Sequence, residues 1–325
     1  MGKGMQAAGG VGLAGAAGIA GVAGLAAFNQ AVHIAPGELE EQLPARPTMW
    51  KWRYGNVAVY ENGDRSNPPM LLLHGHNAAA SAGEWRHPFR LMSDRYRVFA
   101  PDLLGYGLSS RPDILYTPEL YIELIEDILR EVVQGPAVVV ASSLTAAHAI
   151  EAASANPEWV TALVLVCPTG VKRLTEQRPS GAVVERLLAL PVFGEGAFHG
   201  IASRRSIRYF LENQTYHNRA LVTDDLLDRY YRTAHVRGAW HAPAAFVSGR
   251  LYHDASDAWR ALRPGVLLVW GREAAITPIS DAAAFLALNP RAELAEVSPA
   301  GILPHDEQPQ QFANTVLSWL DRLPR

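Results

Sequence analysis

Residues 137–145 read Ala137-Val138-Val139-Val140-Ala141-Ser142-Ser143-Leu144-Thr145. The opening valine run carries no polar alternation, which is the pattern of a strand covered on both faces of a sheet. The chain then turns through two serines. Upstream, Pro118–Gln134 has Leu120, Leu124, Ile125, Ile128, Leu129 and Val132 at helical spacing, with Glu123, Glu126, Asp127 and Arg130 opposite. Thr117 suits the N-cap of that helix and Pro118 its first position.

Further outward, Val57–Tyr60, Met70–Leu73, Arg97–Ala100, Ala162–Val166 and Val266–Trp270 also read as strands. Asp281–Leu288 and Gln310–Leu323 read as helices. Alternation of this kind predicts an α/β fold with a doubly wound, mainly parallel sheet. Residues 171–262 break the rhythm. They are rich in Arg, Tyr, His and Phe, contain no obvious strand, and read as an inserted helical cap between core segments 50–170 and 263–325.

Five motifs in order resemble the α/β-hydrolase superfamily. They are Leu71-Leu72-Leu73-His74-Gly75-His76, the run Asp102-Leu103-Leu104-Gly105-Tyr106-Gly107-Leu108-Ser109, the 138–145 stretch, Val269-Trp270-Gly271-Arg272, and Pro304–Pro309. The resemblance implies a nucleophile elbow, a sharp strand-to-helix turn with small residues two positions either side of the nucleophile. Ala141 and Thr145 hold those flanking positions where the family usually has glycine, which assigns the nucleophile position to Ser143. It also implies an oxyanion hole from the backbone N–H groups of His76 and Leu144. Asp102, Gly105 and Gly107 are expected to hold a loop, and His148 to pack.

The family's acid follows the Trp-Gly pair by three residues, which is Ala274 here, with Pro278 fixing the register. Its base follows a glycine; Gly301, Glu307 and Pro309 fix that register, and the base position holds Ile302. Neither replacement can hold or transfer a proton, and a serine without a base is a poor nucleophile at neutral pH. His305 and Glu273 are the nearest substitutes for base and acid, and would require both loops to be re-aimed.

Residues 4–32 are a different material: no charged side chain, and glycine at every third position from Gly9 to Gly24. The run is long enough to cross a bilayer, since about 20 residues suffice, and Ala14/Gly18 or Ala17/Gly21 suit close helix packing in lipid. Glycine's cost in helices opposes this. A membrane anchor, a cleaved signal and a soluble Ala/Gly arm all stay open. Membrane association through residues 4–32 is the expectation, with a soluble cytoplasmic protein as the alternative. The first 35 residues form this segment, and residues 36–49, punctuated by proline and glutamate, read as a linker.

A formal net charge of −3 argues against nucleic acid as a partner. The single cysteine, Cys167, excludes an intrachain disulfide. No HExxH, CxxC or closely spaced His/Asp set is present, so neither a metal nor another cofactor is expected. The pocket is expected to be apolar and roofed by cap aromatics drawn from Phe193, Phe198, Tyr209, Phe210, Tyr230, Tyr231 and Trp240. Two functions follow. One is a serine hydrolase of esterase type acting on a small apolar substrate through Ser143 with non-standard partners. The other is a catalytically inactive member of the fold that binds an apolar ligand or a protein.

Overall fold

The computed structural model describes residues 21–34, 39–171, 190 and 192–324. Eight strands form one sheet: β1 (Thr48–Trp52), β2 (Gly55–Asn62), β3 (Pro69–Leu73), β4 (Arg97–Pro101), β5 (Ala137–Ser142), β6 (Val160–Val166), β7 (Gly265–Gly271) and β8 (Glu293–Val297). Their spatial order is β1-β2-β4-β3-β5-β6-β7-β8. The β1/β2 and β2/β4 pairs are antiparallel and the others parallel.

The valine run explains why β5 is central. All six of its residues are buried. The two-residue period sends Val139 and Ala141 to one face, with Leu71, Leu163, Leu165 and Trp270. Val138 and Val140 go to the other, with Leu72, Val164, Trp85 and Trp319. Helices cover both faces, as a doubly wound sheet requires.

The 118–134 helix starts as expected, the Thr117 hydroxyl accepting from the Leu120 N–H at 3.3 Å. Its last turn, Ile128–Val133, is widened to a π-turn that ends at Gln134 in the left-handed region. Among the described residues, the 171–262 insertion is helical, and much of 171–191 lies outside them.

The described part of the segment read as a linker, residues 39–49, is packed against the core. Leu39, Gln42 and Leu43 are buried, the Gln42 N–H donates to the Tyr60 hydroxyl at 2.9 Å, and β1 already begins at Thr48. Residues 21–32 form a helix lying on the cap. Asn29 donates to the Val192 carbonyl at 2.9 Å, and the Ile34 N–H to that of His235 at 2.8 Å. A Cβ at Gly196 would lie 2.8 Å from Leu25, so glycine there lets the arm approach the cap helix. The described part of the proposed anchor thus packs on protein. Residues 4–20 of that segment lie outside the described residues. Among the described ones no helix is long and apolar enough to cross a membrane.

Candidate active site

Ser143 stands immediately after β5 with φ at +53°, the left-handed backbone a sharp strand-to-helix turn demands. Its N–H donates to the Val166 carbonyl at 2.9 Å, and its own carbonyl accepts from Thr169 at 3.2 Å. The helix Thr145–Ala155 follows directly. Threonine fits the crowded flank because its hydroxyl donates to the His74 carbonyl at 2.7 Å, tying the elbow to the end of β3. A Cβ on Gly75 would sit 3.3 Å from that of Ser143, so this glycine lets the two loops touch.

The loop after β3 is fixed from below. The Leu103 N–H donates to His74 Nε2 at 3.0 Å, which places the ring proton on Nδ1, 2.8 Å from the Gly75 carbonyl. The buried Asp102 carboxylate accepts from the Ala82 and Leu108 N–H groups at 2.6 and 2.8 Å. It also fills the space where a Gly107 side chain would be, 2.0 Å from the Cβ position. Burial pushes its carboxyl pKa up. The loop-holding roles expected of Asp102 and Gly107 match this geometry.

Among the described residues, neither the His76 nor the Leu144 backbone N–H takes a protein acceptor, as donors of an oxyanion hole must not. The His76 ring lies among Tyr106, Tyr121, His148 and Phe246. Burial, then the neighbouring His148 and His74, push its pKa well below the ordinary value. Burial likewise takes His148 down to about 4, and its Nε2 lies 3.1 Å from the Leu251 carbonyl. Both rings are neutral at pH 7.

The expected substitutes for acid and base are not assembled. Glu273 accepts from the Ser298 hydroxyl at 3.0 Å and the Ala300 N–H at 2.7 Å, so it pins its own loop. His305 is fully buried, stacked on Trp85 with ring centroids 4.2 Å apart. Its Nε2 lies 3.4 Å from Glu84 Oε1, and neither ring nitrogen has a hydrogen-bond partner among the described residues. No hydrogen bond joins Ser143 to His305 or Glu273 among the described residues. The reason is that His305 belongs to the short helix Pro304–Glu307, and the neighbouring Asp306 is locked by Arg86 through two 2.7 Å bonds.

Ala274 and Ile302 lie in the loops following β7 and β8. A Cβ on Gly271 would fall 1.8 Å from the Gly301 carbonyl, so glycine holds the two loops together. Glu307 completes the clamp, accepting from Gly301, His217 and Asn218. Ala274 and Leu144 share one apolar cluster, and Ile302 packs against it.

Sequence reasoning missed Glu84. Its side chain is buried, its Oε2 accepts from the Gly75 N–H at 3.1 Å, and Oε1 faces His305. Burial opposes its ionisation, but His305 and the Ser142 hydroxyl outweigh that and hold its carboxyl below the usual range. No motif marks it; the pairing spans the chain. The roof also differs from expectation. Phe198, Tyr230 and Trp240 do pack over Ala78 and Ala79, but Phe193 and Tyr209 are exposed. The cavity beside Glu84 is small, with polar and apolar groups mixed in its lining. It measures about 20 Å³, room for one water, and is lined by Gln42, Ser81, Arg86 and Tyr230 among others.

Residues 70–315 match the alpha/beta hydrolase family. The chain is 27% identical over 267 residues to 2-hydroxy-6-oxo-6-(2'-aminophenyl)hexa-2,4-dienoic acid hydrolase of Metapseudomonas resinovorans, covering 78% of this chain and 84% of that protein. It is also 27% identical to 2-hydroxymuconate semialdehyde hydrolase of Pseudomonas sp. (strain CF600), covering 78% and 86%. A meta-cleavage product hydrolase from Pseudomonas fluorescens IP01 superposes with a TM-score of 0.70 at 21% identity, over 85% of this chain and 98% of that one. A membrane phospholipase A also reaches 0.70, at 20% identity and 96% of both chains. Structural likeness at such identity speaks for the fold. With the family match spanning the elbow, the Asp102 loop and the Gly271/Gly301 clamp, the chain belongs to the alpha/beta hydrolase family.

Proposed function

We propose that Ser143 marks a pocket that binds a small carbonyl compound and that ordinary serine hydrolysis there is lost or very slow. One observation carries this reading. Ser143 occupies a left-handed turn after β5, no protein acceptor meets the His76 and Leu144 N–H groups among the described residues, and in the loops after β7 and β8 Ala274 is part of an apolar cluster that Ile302 packs against. Such a site still polarises a carbonyl, but it has no group to take the serine proton. Loss of triad members leaves roughly 10³–10⁴-fold catalysis over water, from the oxyanion hole and binding. Relatives named for oxo-dienoate hydrolysis suggest the ligand class: small oxo acids or their aldehydes.

A second reading rests on Glu84. Its carboxylate and the Ser143 Cβ both lie within 3.6 Å of the one point a Gly75 Cβ would occupy. In that reading Glu84, backed by His305, serves as a relocated base.

The test uses 4-nitrophenyl acetate and 2-hydroxymuconate semialdehyde with wild type, Ser143→Ala and Glu84→Gln. The expected result is slow turnover that Ser143→Ala alters less than about threefold, with the semialdehyde still bound by both proteins. Fast turnover reduced by roughly 10³-fold or more in Ser143→Ala overturns the reading. If Glu84→Gln abolishes it as well, the base is Glu84.

A further inference from the structure

Away from Ser143, the arm and the cap bring together three side chains that the sequence keeps far apart. His33 follows the 21–32 helix. Glu195 and His199 lie four residues apart on the cap helix Phe193–Ile201, and therefore on one face of it. One ligand atom from each falls within 4.8 Å of the other two. His33 Nε2 is 2.7 Å from Glu195 Oε1.

The cluster has unspent bonding capacity. His199 is 6% exposed, yet neither ring nitrogen has a partner. Asn29 is 1% exposed, and its Oδ1 is also unpartnered, although its Nδ2 reaches Glu195 at 3.4 Å. Burying such groups unsatisfied is costly, and an unmet buried polar atom calls for a water or an ion. The His199 ring is held in place by stacking on His235, with centroids 4.9 Å apart.

We propose that His33, Glu195 and His199 form a binding site for a divalent transition-metal ion of the zinc type. Two imidazoles and one carboxylate suit that ion, which takes such ligands at about 2.0–2.2 Å in a tetrahedron. The fourth position is left for water or for Asn29 Oδ1. The absence of any metal motif in the sequence fits this: the ligands come from two segments about 160 residues apart, and only folding joins them. The ion clasps the N-terminal arm to the cap helix. Phe198, adjacent to His199, packs over Ala79 in the loop beyond His76, so the clasp also steadies the roof beside the candidate active site. No step at Ser143 depends on it.

The test uses untagged full-length protein stripped with a chelator, titrated with Zn²⁺ by calorimetry and with Co²⁺ by visible absorption. The expected result is one ion per chain, a Co²⁺ spectrum of four-coordinate type, and a Tm that rises with Zn²⁺. His33→Gln and His199→Asn should each weaken binding by roughly 100-fold or more, beyond the 10–100-fold seen when only supporting groups are lost, and should remove the Tm response. His33→Gln, on the arm, keeps the test decisive if His199→Asn fails to fold. Substoichiometric Zn²⁺ binding, or equal affinity in wild type and His33→Gln, overturns the proposal.

Discussion

Ser143 illustrates how much one residue's conformation tells and how much it leaves open. Its positive φ and its place between Ala141 and Thr145 follow from the local sequence. The environment of His305 does not, because it depends on Trp85 and Glu84, more than 200 residues away in the chain. A residue-scale prediction comes from His148. Burial lowers its pKa from 6.5 to about 4. A base with a depressed folded-state pKa takes up its proton more readily when unfolded. Its contribution to stability is therefore complete above pH 6.5 and drains as the pH falls toward 4, and His74 and His76 act in the same direction. From His148 alone, the free energy of unfolding should drop by about 2 kcal/mol between pH 7.5 and pH 5. Urea titrations at the two pH values measure it, and His148→Gln should shrink the difference. An unchanged midpoint would show that the ring is already charged in the folded protein.

Among elements, the buried strands were legible and the edge strands were not. β5, β6 and β7 are near-continuous apolar runs, covered on both faces. β1 and β8 form the two edges of the sheet and keep most of their residues at least partly exposed. Their sequences, Thr48-Met49-Trp50-Lys51-Trp52 and Glu293-Leu294-Ala295-Glu296-Val297, lack an apolar run to announce them. The loop from Asp102 to Ser109 was legible as a motif, but its reason is visible only in three dimensions. Gly107 adopts φ +50° against the Asp102 carboxylate, 2.0 Å from where a Cβ would be. Gly107→Ala must both strain the backbone and displace a buried carboxylate that ties Ala82 to Leu108. We expect a loss of at least about 2 kcal/mol in chemical denaturation. A change under about 0.5 kcal/mol would mean that the loop relaxes and that Asp102 is not its anchor.

At the scale of the whole molecule, sheet, elbow and family were all readable from motif order, because each motif marks the end of a strand and the parallel sheet collects those ends on one edge. The arm was not readable. Its Ala/Gly composition fits several environments, and nothing local predicts that residues 21–34 lie on the cap through Asn29, His33 and Ile34. The proposed function joins these levels: in it, a family fold keeps the Ser143 elbow while Ala274 and Ile302 stand where acid and base would be. The most direct measurement restores both groups at once. Ala274→Asp combined with Ile302→His should raise 4-nitrophenyl acetate hydrolysis by roughly 10²-fold or more over wild type, and adding Ser143→Ala should remove the gain. Either single change should do far less, since an imidazole needs its orienting carboxylate. A double variant that stays folded, with an unchanged denaturation midpoint, yet gains no serine-dependent activity would contradict the account.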